Sequence, residues 1–341
     1  MSIIPTYNII LLGKTGVGKS TFVNSIANYS TYDSLEEAIE VNEPQGVIPV
    51  SFEITLKNFK KIKITQLGCN RRDVENENLN TKSSSCTQEP RVYSFYNENV
   101  GFNVIDIPGM GDTAGPTQDA RNIQIIMEKL SQFTVIHGIF IMLKAFEPRL
   151  TADVKYNLNA TLMMLHANAI PNIMFIITTS RGADYNPGET MTTLEDYVAN
   201  LEASNGIKIE LSENTVFCMD NEAYKFQCGW NKSDEYRKEF GPLIKNYSKS
   251  WDISSAAFFK LFERMYTMQG HHVQLSCAIG HARTIIHCLI GPLAAITALI
   301  QQALSPASRE ANIKALTKNG QQIKDEIEVQ DTSSRTVYYL P

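Results

Sequence analysis

The sequence predicts an α/β protein with a mostly parallel sheet covered by helices on both faces, followed by a C-terminal helical extension. Three observations predict it. Short apolar runs rich in β-formers recur at Tyr7–Leu12, Val92–Tyr96, Phe102–Ile107, Val135–Leu143, Asn172–Thr178 and Thr215–Cys218. Between several of them lie helical patterns, such as Asp119–Leu130 and Ala152–Leu165, with apolar residues three and four apart. Strands alternating with helices imply parallel pairing with both faces buried. Beyond residue 250 the pattern becomes wholly helical.

At 341 residues the chain has the length of about two domains. The pattern divides it unequally: residues 1–250 form one α/β domain with strands inserted within 30–85, residues 251–304 a helical extension, and residues 305–341 a polar, partly disordered tail. Hydrophobic residues make up 43% and charged residues 20%, the balance of a folded globular protein. The net charge of −5 argues against a broad nucleic-acid surface. Six scattered cysteines without a CxxC pair read as reduced thiols of a cytoplasmic protein. The segment Met1–Asn8 has neither the basic nor the apolar part of a secretory signal.

The first strand, Tyr7–Leu12, runs directly into Gly13-Lys14-Thr15-Gly16-Val17-Gly18-Lys19-Ser20, then Thr21 to Ile26, where Phe22, Val23 and Ile26 have helical spacing. This GxxxxGK[ST] pattern, between a strand and a helix, is a complete P-loop. Glycines let main-chain N–H groups turn inward around a phosphate, and the helix N-terminus adds a favourable dipole. Lys19 would reach the β- and γ-phosphates, the Ser20 hydroxyl would bind Mg²⁺, and Thr21 would offer its N–H to the α-phosphate. A glycine turn without a ligand is the plain alternative, and the strand-to-helix context disfavours it.

Between residues 30 and 88 the pattern changes. Val47–Leu56 and Lys61–Thr65 predict two short strands, and residues 71–85 a polar loop. Lys57, Lys60, Lys61 and Lys63 read as solvated edge-strand lysines, with an anion-reading patch as the alternative. The next strand ends in Asp106-Ile107-Pro108-Gly109. Asp106 would hold Mg²⁺ through water, and the Gly109 N–H would sense the γ-phosphate. A remaining metal ligand would come from the loop before it, with Thr87 the choice and Ser85 the competitor.

The order of P-loop, switch threonine and Asp106-Ile107-Pro108-Gly109-Met110-Gly111-Asp112 resembles the septin and GIMAP branch of the translation-factor-related GTPases. Ser85-Cys86-Thr87-Gln88, Met142-Leu143-Lys144, Arg181-x3-Tyr185-x-Pro187-Gly188-Glu189-Thr190 and Asp220-Asn221-Glu222 resemble a eukaryotic group of septin-like G-domain proteins. The resemblance covers residues 7 to about 230. It implies a Ras-like three-layer fold, GTP and GDP as ligands with Mg²⁺, and a nucleotide-controlled switch.

Two positions depart from the family pattern. Where a base-reading NKxD should follow the strand Asn172–Thr178, the chain has Thr179-Ser180-Arg181-Gly182-Ala183-Asp184. By resemblance Asp184 would accept from the guanine, Arg181 would pack on its ring, and Asn221 would add a base contact or serve as a turn asparagine. Met110 follows Gly109 where Ras-type enzymes carry a water-orienting glutamine, so Thr87 and Gln88 are the candidates to position the water. Slow GTP hydrolysis follows, raised by self-association through the G domain or by a partner's arginine. A GTP-binding scaffold with little hydrolysis and an ATP-using P-loop enzyme are the alternatives.

In the extension, Ser254 or Ser255 would cap a helix whose stripe is Phe258, Phe262 and Met265, with Gly270 as its stop. A second helix, from about Val273 to Leu304, should break near Gly291-Pro292. Cys277, His281 and Cys288 share a helical face, but lack a fourth ligand, and buried polar packing is the simpler reading than zinc. Ile285–Ile300 reads as a helix packed on the G domain rather than as a peripheral membrane contact.

Overall fold

Thr6–Gly13 forms β1, whose apolar run pairs in parallel with Gly101–Asp106 (β5) on one side and Gly138–Lys144 (β7) on the other. The structure, a computed structural model, describes residues 5–41, 44–67, 90–96, 100–107, 125–147, 149–151, 154–155, 158–159, 161–162, 165–304, 317–319 and 321. Arg91–Tyr96 (β4) joins β5 antiparallel, while Ile173–Thr178 (β8) and Val216–Cys218 (β9) extend the other edge in parallel. The sheet order is therefore β4-β5-β1-β7-β8-β9, mostly parallel as expected.

Side chains alternate between the two faces of a strand, and the core divides accordingly. Ile9, Leu11, Phe140, Met142, Met174 and Ile176 bury into one cluster, and Ile10, Leu12, Ile139, Ile141, Phe175 and Ile177 into the other. Each such side chain contributes about 1.5–3 kcal/mol on burial. Lys19–Tyr29 (α1), Glu222–Lys232 (α4) and Ile244–Thr267 (α6) supply side chains to the first cluster. Thr190–Asn205 (α3) and the helical residues at 125–130 and within 154–162 supply the second. The layers are helix, sheet and helix.

The inserted strands form a sheet of their own. Leu35–Glu40 (α2), capped by Ser34, precedes Val50–Thr55 (β2) and Lys61–Gln66 (β3), which pair antiparallel with Phe52 opposite Ile64. Lys57, Lys60, Lys61 and Lys63 are exposed, and Lys60 meets Glu235 of Asp234–Phe240 (α5) at 2.6 Å. The approach to β2 is held from α1. The fully buried Asn24 accepts from the N–H groups of Val47 and Ile48 and donates to the Ile48 carbonyl, each at 2.8 Å. Asn28, one turn on, donates to the Gln45 carbonyl at 2.8 Å and accepts from its N–H at 3.1 Å.

Several sequence expectations need correction. Val135–Leu143 is two strands: Val135–Ile136 (β6) pairs with His271–His272 (β10), and β7 starts after His137. The boundary at residue 250 falls inside α6, so Ser254 and Ser255 are internal and cap nothing. Trp251, Phe258, Leu261 and Met265 bury that helix in the first core cluster, with the Trp251 ring edge-on to Tyr29 at 4.8 Å. Gly270 serves close approach, since a Cβ there would come within 2.3 Å of Val135. Helix α6 itself ends at Thr267, with an extended Met268 as its cap.

The chain divides into two compact units, Met1–Gly280 and His281–Pro341. Val273–Leu304 (α7) is assigned as one helix with Pro292 inside, so the expected break is not seen. In the second unit Ile286, Leu289, Ile290, Leu293, Ile296, Leu299 and Ile300 are all exposed. Among the described residues no helix is long and apolar enough to cross a membrane.

Replacing Asn24 with alanine leaves two N–H groups and one carbonyl of residues 47–48 without their buried partner. Asn24→Ala is expected to lower unfolding stability by about 3 kcal/mol, read as a reduced urea midpoint with an unchanged slope.

Candidate functional site

Strand β1 ends at Gly13, and the chain turns through residues 14–18 into α1 at Lys19. Gly13 packs against β7, where a Cβ would meet the Met142 carbonyl oxygen at 2.7 Å. Gly16 and Gly18 have φ of +76° and +101°, with open space where a Cβ would stand. Left-handed positions of this kind line up main-chain N–H groups as an anion nest, and Gly18 is also the N-cap of α1.

The loop is tied at both ends. Val17 N–H donates to the Lys14 carbonyl at 3.2 Å, and Phe22 N–H to that of Gly18 at 2.8 Å. From the end of β8, the Thr178 hydroxyl lies 2.9 Å from the Val17 carbonyl and 3.2 Å from that of Leu143. Lys19 is buried, and its Nζ donates to the Gly13 carbonyl at 3.3 Å, folded across the loop it would serve. Lys14 meets Glu147 at 3.8 Å. Thr15, Ser20 and Thr21 are part-exposed along the loop and first helical turn, while Val17 is buried.

Asp106 ends β5 and pairs in register with Leu11 of β1, two residues before Gly13. It is fully buried. The sheet thus brings together Gly13 to Thr21 and Asp106, a loop for phosphates beside a buried carboxylate. Those residue types fit a Mg²⁺-bound polyphosphate, with main-chain N–H groups and an ammonium for anions and hydroxyl and carboxylate oxygens for a hard cation. Thr87, its competitor Ser85, Gln88, Gly109 and Met110 lie outside the described residues.

The ends of β8 and β9 make the second part of the site. After β8 the chain enters a 3-10 turn, Ser180–Ala183. Thr179, Asp184 and Tyr185 flank it with φ of 51°, 51° and 57°, three of the four non-glycine positive-φ residues among those described. Backbone strain of this kind collects at ligand sites. Asp184 is exposed. The Arg181 guanidinium pairs with Glu222 and sits 5.5 Å over the Tyr247 ring. Asn221, at the N-cap of α4, is buried, and its carboxamide oxygen has no protein partner.

Asp220 stands in one of the motifs of the sequence, where no role was given to it. Its carboxylate accepts from the N–H groups of Arg181 at 3.3 Å and Glu222 at 3.2 Å. Burial pushes its carboxyl above the ordinary range, with those two N–H bonds opposing. Burial also raises Glu222, reinforced by the Asp220 charge and opposed by Arg181. Ser254 grips the residue from α6: the Asp220 N–H donates to its hydroxyl at 3.0 Å, and that hydroxyl lies 2.9 Å from the Asp220 carbonyl. The expected capping serine thus holds a strand end. Only the tertiary contact of α6 with β9 reveals this.

Among the described residues, no three His, Cys, Asp or Glu side chains are grouped to hold a metal. Cys277 is a free, part-exposed thiol, and the side chains of His281 and Cys288 lie outside those described.

No family model matches the chain. A Dictyostelium discoideum protein, GTP-binding protein A, is 28% identical over 142 residues, a match covering 42% of this chain and 21% of that protein. The chain therefore spans about a fifth of that relative's length. Among solved structures, Toc33 from Arabidopsis thaliana in complex with Mg²⁺ and GMPPNP is similar over 79% of this chain and 88% of its own, at 14% identity and a TM-score of 0.42. Elongation factor SelB from Methanococcus maripaludis, in complex with a GTP analogue, is similar over 72% of this chain and 34% of its own, at 13% identity and a TM-score of 0.31. The three-layer arrangement, with its glycine loop after β1, is that of a Ras-like P-loop fold.

Ser254→Ala strips both main-chain polar groups of Asp220 of their partner. The expected loss of stability is about 1–3 kcal/mol, measured by denaturant unfolding, with the amide of residue 220 exchanging faster in hydrogen-exchange mass spectrometry.

Proposed function

We propose that the chain binds a guanine nucleoside triphosphate with Mg²⁺, hydrolyses it slowly and acts as a conformational switch. The observation that carries this reading is the loop at the end of β1. Two left-handed glycines leave open space over its main chain, and the buried Lys19 ammonium lies across it on the Gly13 carbonyl. A phosphate entering there would take the ammonium from that carbonyl, a stronger, charge-assisted partner replacing a neutral one.

In this reading the N–H groups of residues 14–21 receive the phosphates. Ser20 and, through water, Asp106 hold Mg²⁺, which neutralises charge on the phosphate oxygens. Thr87 completes the metal ligands, Gln88 assists in orienting water, and the Gly109 N–H senses the γ-phosphate. Loops ordered by that phosphate relax on its loss, which makes the switch. Guanine as the base rests on the septin and GIMAP resemblance, on the similarity to GTP-binding protein A and on carboxylates at the ends of β8 and β9. The same resemblance supports pairing of two G domains as the route to faster hydrolysis. An ATP-using enzyme is the second reading, favoured by the departure from NKxD after β8 and the exposure of Asp184.

Nucleotide identification on the purified full chain, with titration of labelled GTP, GDP and ATP, tests the reading. Lys19→Ala is expected to weaken triphosphate binding at least about 100-fold, the loss of a charge-assisted contact. Binding of undiminished strength in that variant overturns the site, and equal affinity for ATP and GTP overturns the choice of base.

A further inference from the structure

A hairpin that turns in three residues places the last of them in the left-handed region, where glycine is the usual occupant because a side chain is strained there. Between β2 and β3 that residue is Phe59, at a φ of 62°. The turn closes around it. Phe59 N–H donates to the Leu56 carbonyl at 2.9 Å, Leu56 N–H to the Lys60 carbonyl at 2.8 Å, and Lys60 N–H to the Asn58 carboxamide oxygen at 3.0 Å. A bulky residue at positive φ is an outlier, and such strain is usually offset by what the side chain packs against. The Phe59 ring is 87% exposed, the highest value among the large apolar residues described. The fold bears the strain of a phenylalanine here and gains no burial from its ring, which directs attention to something outside the chain.

Lysines surround the ring. Lys57 precedes it, Lys60, Lys61 and Lys63 follow, and all four are exposed. The carboxylates near them are few. Glu235 pairs with Lys60 at 2.6 Å, Glu239 accepts from the Lys57 main-chain N–H at 2.8 Å, and Glu53 stands across the hairpin from Lys63. Residues 50–66 thus carry four lysines and one glutamate, in a chain whose net charge is −5. The tip is also held firmly. Phe52, Ile62 and Ile64 pack the hairpin on Tyr224 and Cys228 of α4, and the bonds to Glu235 and Glu239 brace it against α5.

One ring on a three-residue turn covers far less than the ~800 Å² per partner of a stable protein contact, and a convex tip offers no groove to a peptide. A lipid bilayer requires neither. An apolar side chain enters the boundary of headgroups and acyl chains, and each lysine near an anionic surface strengthens binding about fivefold. We propose that the β2–β3 tip docks on an anionic lipid surface, with Phe59 inserted at headgroup level and Lys57 and Lys61 against the lipid phosphates and carboxylates. Lys60 stays with Glu235 and keeps the tip in place. The strained conformation then has a physical account, since it presents a ring that only an external apolar layer covers.

The test is sedimentation of the full-length protein with vesicles of phosphatidylcholine alone and of phosphatidylcholine mixed with phosphatidylserine. Wild type is expected to bind the mixed vesicles at least about tenfold more tightly and to lose that preference in high salt. Phe59→Gly puts the residue that suits a positive φ at the turn, so its urea midpoint is expected to match or exceed that of wild type. Its affinity for the mixed vesicles is expected to fall at least about tenfold. The double variant Lys57→Glu, Lys61→Glu is expected to lose at least about 25-fold in that affinity and to keep the wild-type midpoint. Equal binding of wild type to the two kinds of vesicle overturns the proposal. So does binding of undiminished strength in either variant, which would put the lipid contact elsewhere, as on the exposed apolar residues of 286–300. A lowered midpoint in Phe59→Gly overturns it as well, because the ring would then serve the fold.

Discussion

The parallel register of β1 is the constraint from which the site follows. Leu11 lies beside Asp106 on one flank and beside Phe140 on the other, so β1 ends between two strands that run the same way. A chain leaving that point faces strand ends on both sides, where open α/β sheets gather their ligands. Gly13 is squeezed against Met142 and admits no side chain, so the turn must begin there. Thr178 then closes the arrangement from two strands away by bonding to Val17. Burial of alternate side chains on two faces fixes the register, because a one-residue slip would turn both core clusters inside out.

The proposed phosphate end and base end of the site are built by different means. At the proposed phosphate end the main chain would do the recognising, and the sequence must supply glycines and a lysine at fixed spacing. At the base end, side chains are held by contacts distant in the chain: Asp220 by Ser254 and Arg181, Arg181 by Glu222 and Tyr247. Three left-handed, non-glycine residues in the connecting segment strain it by about 1–3 kcal/mol each. Tyr247 of α6, under the Arg181 guanidinium, helps to hold that segment.

This division explains what could be read in advance. The glycine loop, Lys19, Ser20 and Asp106 obey local rules of spacing and strand ends, and the structure gathers them at one sheet edge. The central strands were legible because buried parallel strands are continuous apolar runs. The role of Ser254 was not, because a serine before an apolar stripe looks like a helix cap unless the start of the helix at Ile244 is known. Nor was β6, whose two residues pair with His271 and His272 more than 130 positions away. The hold on Asp220 was hidden too, since it comes from Arg181 and Ser254, 39 and 34 positions away.

The grip of Asn24 and Asn28 on residues 45–48 has a consequence for descent. Both amides engage only main-chain atoms of that segment, so neither Gln45 nor Val47 is specified by the bond it makes. So far as these bonds decide it, the side chain at position 45 can change while the segment keeps its place, whereas Ile48 is also fixed by burial in the core. The heritable record of where it attaches lies about twenty residues upstream, in two asparagines one turn apart.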